Sequence, residues 1–322
     1  MRRTWLATAA VATSFSLRLA AAEAPQNATA IDYVKSNGLV AAAYRGGQVV
    51  VWEAESGRVR NIFNAPGSAA TLNQRIAHFS ADGRIIAYTA EGDAGLLAYN
   101  LDQGSSTVLV PHRLLYRGIT AFAWSNQDDT LLVAIGRDIA LVRATGHIEW
   151  QRRLETRSLI TDIVWHPTEK FYTVATDDTT VSSYETIGGQ LMASETIETV
   201  ARPTRVRVGW SKDGSSLAAN VEKESLKVLD PDTLKTRKSI PCSCVDFDWS
   251  PARRELAASA PPKIALFSDL GAKVRELQTP FEGAGPILWV DENHILAAAA
   301  DSAVVLRDAR SPKVLKTYLP PK

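Results

Sequence analysis

The chain is poor in the groups that usually announce chemistry. Its 322 residues include two cysteines and five histidines. Cys242 and Cys244 flank a single residue. That spacing strains a disulfide, matches no zinc pattern by itself and lacks the residues that follow a haem attachment site. Two structural thiols are the expectation. Neither sign of charge dominates, since 36 Lys and Arg face 35 Asp and Glu. Their scatter removes the electrostatic case for nucleic acid or an anionic membrane as partner. The apolar run Trp5–Leu17 is too short to span a bilayer. The sequence has no Gly-x-Ser-x-Gly elbow, no phosphate loop, no His-Glu-x-x-His helix and no acidic loop with calcium-ligand spacing.

What the chain does have is short strands in a repeating order. The stretch Val206–Leu234, VRVGWSKDGSSLAANVEKESLKVLDPDTL, parses as three strands and three turns. VRVGW alternates, with Val206, Val208 and Trp210 on one face. Ser211-Lys212-Asp213-Gly214 is a turn, because Asp bonds its own backbone and Gly accepts positive φ. SLAANV and LKVLD follow as strands, and Pro231-Asp232 stops the third. A lone sheet of this size has no core and needs neighbours.

The same pattern returns along the chain. Taking Trp210 as anchor, an aromatic recurs at Tyr33, Phe79, Trp124, Trp165, Trp249 and Trp289, at intervals of roughly 39 to 46 residues, the period of propeller blades. A large side chain follows each anchor at a fixed offset: Val40, Ile86, Leu131, Tyr172, Leu217, Leu256 and Leu296. The position two before each anchor is always apolar, from Ile31 to Ile287. Three coincident registers predict an all-β chain, a seven-bladed β-propeller of four-stranded antiparallel blades. Closure suits such a chain, since a ring leaves only short, protected strand edges. The seventh unit owns a fourth strand, Val314–Leu319, so a ring closed by a borrowed N-terminal strand is not evident.

At Phe79-Ser80-Ala81-Asp82-Gly83, Trp210-Ser211-Lys212-Asp213-Gly214, Trp249-Ser250-Pro251 and Val51-Trp52-Glu53 the chain resembles the WD-repeat β-propeller family. The resemblance spans roughly residues 28–318. It departs from the family in lacking a Gly-His pair before each first strand, and Trp-Asp never ends a third strand; Trp52-Glu53 comes nearest. The resemblance therefore implies blades held mainly by apolar packing, without the family's buried Asp-His-Ser/Thr-Trp network. It implies a non-enzymatic scaffold that binds one or more protein partners and needs no cofactor.

Residues 1–24 read as an export signal or targeting segment, and 25–322 as the propeller. Arg2-Arg3-Thr4-Trp5-Leu6 resembles a twin-arginine signal, and Ala20-Ala21-Ala22 offers a small-residue cleavage site before Glu23. Export to the periplasm or beyond is the expectation, with no membrane insertion after signal removal. A mitochondrial transit peptide, or half of a further blade in a cytoplasmic protein, are the alternatives.

Three polar side chains form the candidate site. The position three before the anchor holds Asp162, Arg207 and Asp246 in blades four, five and six, a minus–plus–minus row along the channel. A structural ion-pair ladder is the expected role, because burying an unpaired Arg costs several kcal/mol; a ligand site is the alternative. Asp177-Asp178 reads as a hairpin turn rather than a metal pair. His166 and His294, at turns after anchors, read as solvated. Two other functions compete with the scaffold: a propeller enzyme or accessory subunit, resembling quinoprotein dehydrogenases or lactonases, and the sensor propeller of a nucleotide-binding signalling protein.

Overall fold

In the strand Val206–Trp210, Val206, Val208 and Trp210 are buried while Arg207 and Gly209 are partly buried. This is the period-two pattern of a strand with one wet face. The next two strands, Leu217–Val221 and Ser225–Leu229, are buried at every position, as strands covered on both faces must be. The outermost, Thr236–Pro241, is exposed except at Ile240. The intervening turn is built by Asp213, whose carboxylate accepts the Ser211 hydroxyl at 2.7 Å and the Ser215 N–H at 3.0 Å. Gly214 sits at φ +71°, and a Cβ there would lie 2.4 Å from Nε2 of His166. Backbone and packing both demand glycine at that point.

This gradient, wet inside, buried in the middle and exposed outside, repeats seven times. The structure, a computed structural model, describes residues 27–44, 47–64, 77–90, 95–111, 118–199, 205–222, 224–278, 285–299 and 301–321. They form seven four-stranded antiparallel sheets, each made of four consecutive strands, with no helix among the described residues. The chain is thus all-β, a seven-bladed propeller, as the registers predicted. The export segment 1–24 and the loop residues 65–76, 112–117 and 200–204 lie outside the described residues.

The offset behind each anchor is a cross-strand pairing. Tyr33 faces Val40, Phe79 faces Ile86, Trp124 faces Leu131, Trp165 faces Tyr172, Trp210 faces Leu217 and Trp249 faces Leu256. Blade seven departs from the expected register: Trp289 pairs with Ile295, and Leu296 with Leu288. The cause is a shorter turn. Val290 N–H bonds the carbonyl of His294, whereas Ser211 N–H reaches past one more residue to Ser216.

A third residue completes each row on the same face: Trp52, Tyr99, Val142, Tyr184, Leu229 and Phe267, but Arg307 in blade seven. Arg307 is 1% exposed. Its guanidinium donates to Gln278 O at 2.7 Å, the kind of bond that Trp52 Nε1 makes to Leu319 O at 3.2 Å. In both cases the acceptor is a carbonyl at or just beyond the outer strand of the preceding blade. Arginine here stands where the other six blades carry an aromatic or aliphatic side chain.

Apolar packing fills the seams. Trp210 packs with Val164, Phe171 and Ala175 of blade four, and Trp249 with Ala218, Leu226 and Val228 of blade five. The ring closes in the same way, with no strand shared between blades among the described residues. Ile31, Val40, Val50 and Trp52 of blade one pack on Leu296, Val304 and Tyr318 of blade seven. Tyr318 O–H donates to Ala54 O and Tyr44 O–H to Ser302 O, each at 2.9 Å.

Candidate functional site

The inner strands line a central channel, and an innermost strand has an unpaired side. Its N–H groups on that side have no neighbouring strand to bond and need other acceptors. Asp residues supply them across the seams. Asp162 accepts the N–H of Ile163 at 3.0 Å and that of Val208, in blade five, at 2.9 Å. Asp246 accepts Phe247 N–H at 2.8 Å and Ile287 N–H, in blade seven, at 3.0 Å. Asp32 does the same for Tyr33 and Phe79, both at 2.8 Å, and Asp248 for Trp289 at 2.8 Å. Indole donors run in the opposite sense. Trp124 Nε1 donates to His78 O, Trp165 Nε1 to Ala123 O and Trp249 Nε1 to Gly209 O, at 2.9, 3.2 and 2.9 Å. Each seam so served carries polar stitches beside its apolar filling.

The expected row is therefore half present. Arg207 forms an ion pair with Asp246, and the side chains of this pair are 12% and 3% exposed. Asp162 is spent on the Val208 backbone instead of the guanidinium. The reason is geometric: its carboxylate projects across the seam toward the backbone of the neighbouring strand. Asp32 and Asp248 play the same role and were not singled out by sequence. Aligning the anchors shows Asp one or three positions before them in three blades, twice in blade six, which is the signal that finds these residues.

Other expectations resolve as follows. Cys242 and Cys244 are joined as a disulfide rather than two thiols, with Cα atoms 5.2 Å apart, inside the range a bridge can span. Asp177 and Asp178 are turn residues: Asp178 accepts Thr180 N–H at 3.2 Å, Asp177 accepts Leu159 N–H at 2.9 Å, and Thr179 carries φ +68°. His166 is buried, not solvated. It stacks on Phe171 at 4.1 Å and meets Trp210 edge-on at 4.8 Å, and burial lowers its pKa. His294 is 36% exposed at its side chain and pairs with Asp291 at 2.7 Å.

At the end of the channel where the anchor turns lie, a cavity of about 480 Å³ opens among Lys35, Ser80, Asn126, Lys212 and Pro251. Asp32, His78, Asp162 and Asp248 reach it from the walls. Their carboxylates already serve backbone N–H groups, and His78 Nδ1 lies 3.2 Å from Asp32. Among the described residues no three His, Cys, Asp or Glu side chains come together as metal ligands would.

Blades, registers and channel define a WD-repeat-like seven-bladed β-propeller. The sequence matches a model of the anaphase-promoting complex subunit 4 WD40 domain over residues 122–204. Among solved structures, the β-propeller domain of Myceliophteria thermophila Cps50 (Swd1) superposes with a TM-score of 0.67 at 17% identity. The alignment covers 84% of this chain and 92% of that domain. That likeness is one of fold. No curated protein matches the chain by sequence.

Proposed function

We propose that this chain is a non-enzymatic scaffold that binds protein partners after export. One observation carries the reading: the four channel carboxylates Asp32, Asp162, Asp246 and Asp248 are all bonded to backbone N–H groups of the next blade. They hold the ring rather than converge on a substrate. What the channel end offers outward is a shallow rim of exposed turn residues, Lys35, Asn126, Lys212 and Pro251, around the cavity. Such a rim suits a protein surface. The matched family model describes a subunit of a multiprotein complex, which supports the same role.

The test is chemical crosslinking of the tagged, full chain in its native compartment, followed by identification of crosslinked peptides. Partners crosslinked through Lys35 or Lys212, and lost on Lys212→Glu, are the expected result. Crosslinks confined to the outer strands would remove the channel rim from the proposal. Export is read separately from the intact mass of the native protein. Loss of residues 1–22 is expected, and an intact N-terminus would refute it.

A further inference from the structure

The segment that carries the chain from blade five to blade six holds both of its cysteines. It leaves the outer strand Thr236–Pro241 and enters the inner strand Asp246–Trp249. That inner strand ends on its anchor, so the segment lies at the end of the ring opposite the anchor turns. The bridge between Cys242 and Cys244 spans one intervening residue. It connects no two strands, and the loop it closes is so short that it removes little entropy from the unfolded chain. The segment is fixed without it. On one side Ile240 and Pro241 pair with Leu226 and Ser225. On the other, Asn220 Nδ2 donates to the Cys244 carbonyl at 3.2 Å, and Val245 N–H bonds the carbonyl of Ser259 at 2.9 Å. Opening the bridge leaves the segment anchored at both ends, with the two cysteines still side by side.

The two sulfurs meet different surroundings. Cys244 is fully buried and packs with Ala218, Ile240 and Phe247. Cys242 is partly exposed, and its neighbours Pro241 and Ser243 are exposed. A thiolate arriving from solvent therefore meets Cys242 first and leaves Cys244 as the departing sulfur. Bridges within reach of solvent are the labile, exchangeable ones, whereas bridges kept for stability close long loops.

We infer that Cys242–Cys244 is a thiol–disulfide exchange site that takes two electrons from a pair of cysteine thiols on a client protein. The first client thiolate attacks Sγ of Cys242. The bond between Cys242 and Cys244 breaks, and its electron pair leaves with the Cys244 sulfur, which takes a proton. The second client thiolate then attacks the client sulfur of the mixed disulfide, and Cys242 departs as a thiolate that is protonated in turn. The client gains a disulfide and gives up two electrons and two protons, and this chain gains two thiols. The transfer is stoichiometric, one client bond for one bridge. It goes beyond the scaffold reading and does not depend on it.

The test uses the full chain, with a synthetic peptide carrying two cysteines as the reduced client. Alkylation of the native protein by a maleimide should add nothing before reduction and one label on each cysteine after dithiothreitol, without unfolding. The oxidised chain should convert the peptide to its disulfide one for one, read by mass spectrometry, and Cys242→Ser and Cys244→Ala should each abolish the conversion. Each variant keeps one thiol. Cys242 in Cys244→Ala should alkylate at least tenfold faster than Cys244 in Cys242→Ser, because accessibility controls the rate. Reduction should lower the thermal midpoint by less than about 4 °C; a larger fall makes the bridge structural and overturns the proposal. Labelling of the native chain before reduction, a bridge that opens only on unfolding, or equal alkylation of the two variants also overturns it. So does a peptide that stays reduced, or one that is oxidised equally by the variants.

Discussion

Asp246→Ala removes more than one interaction, and the structure ranks its cost against neighbouring changes. The carboxylate is 2% exposed. It accepts from Phe247 N–H and Ile287 N–H and pairs with Arg207. Breaking a buried ion pair from one side costs about 3–5 kcal/mol, and each buried N–H stripped of its acceptor about 1–3 kcal/mol. These losses share one site and do not add, so the expected total is about 4 kcal/mol. Arg207→Met removes the ion pair and leaves Asp246 its two backbone donors, so about 1–2 kcal/mol is expected. Asp246→Asn keeps an acceptor oxygen and should fall between the two. The double change Asp246→Ala with Arg207→Met should cost no more than Asp246→Ala alone, because the cation and its carboxylate leave together. Urea unfolding followed by tryptophan fluorescence measures the series, with an unchanged m-value as the sign that stability alone has moved. If Asp246→Ala costs less than about 1 kcal/mol, or less than Arg207→Met, the carboxylate does not stitch blade six to blade seven.

Three further outcomes follow from the same packing. Trp210→Ala, which empties the seam behind Val164 and Phe171 and frees the Thr173 hydroxyl bonded to Nε1 at 3.1 Å, should cost about 3–5 kcal/mol in the same assay. Burial lowers the His166 pKa from 6.5, so the unfolded chain binds its proton first. The contribution is complete above pH ~6.5 and declines as pH falls toward the lowered native value. His166→Phe should flatten that part of the stability profile, and an unaltered slope would refute the assignment. Arg307→Met should be neutral within about 1 kcal/mol or stabilising, because the guanidinium is buried, Nε has no acceptor and only two carbonyls are bonded; thermal unfolding decides this.

The ring was legible because strands buried on both faces must be apolar and their spacing must match the blade. Leu39–Tyr44 and Thr130–Ile135 are buried throughout, and each stands out in the sequence as an apolar run. The anchors were legible because large aromatics recur at one register. What sequence missed lies across seams. Asp162 was placed on the correct face of the correct strand, yet its partner is a backbone N–H of Val208, and backbone donors carry no residue-type signal. His166 was read as solvated because its own turn is polar. Its burial comes from Gly214 and Trp210 of the next blade. The shifted pairing of Trp289 was hidden for another reason. Leu296 keeps the expected spacing in the sequence, and only the hydrogen bonding of the Val290–His294 turn reveals the slip.

Among the described residues no strand is shared at the closing seam, and this bears on how the ring comes to exist. Each sheet is made of four consecutive strands, so each blade can finish its hydrogen bonding as soon as its own segment leaves the ribosome. No blade waits for the opposite end of the chain, and local pairing of this kind favours rapid folding. The final event is the docking of two completed faces, blade seven onto blade one, through Trp52, Tyr318 and Tyr44. Closure is then an internal association reaction, with an effective concentration set by how closely the stacked array has already curved back on itself. That seam bounds a cavity of about 800 Å³, so it is a natural place for the ring to breathe.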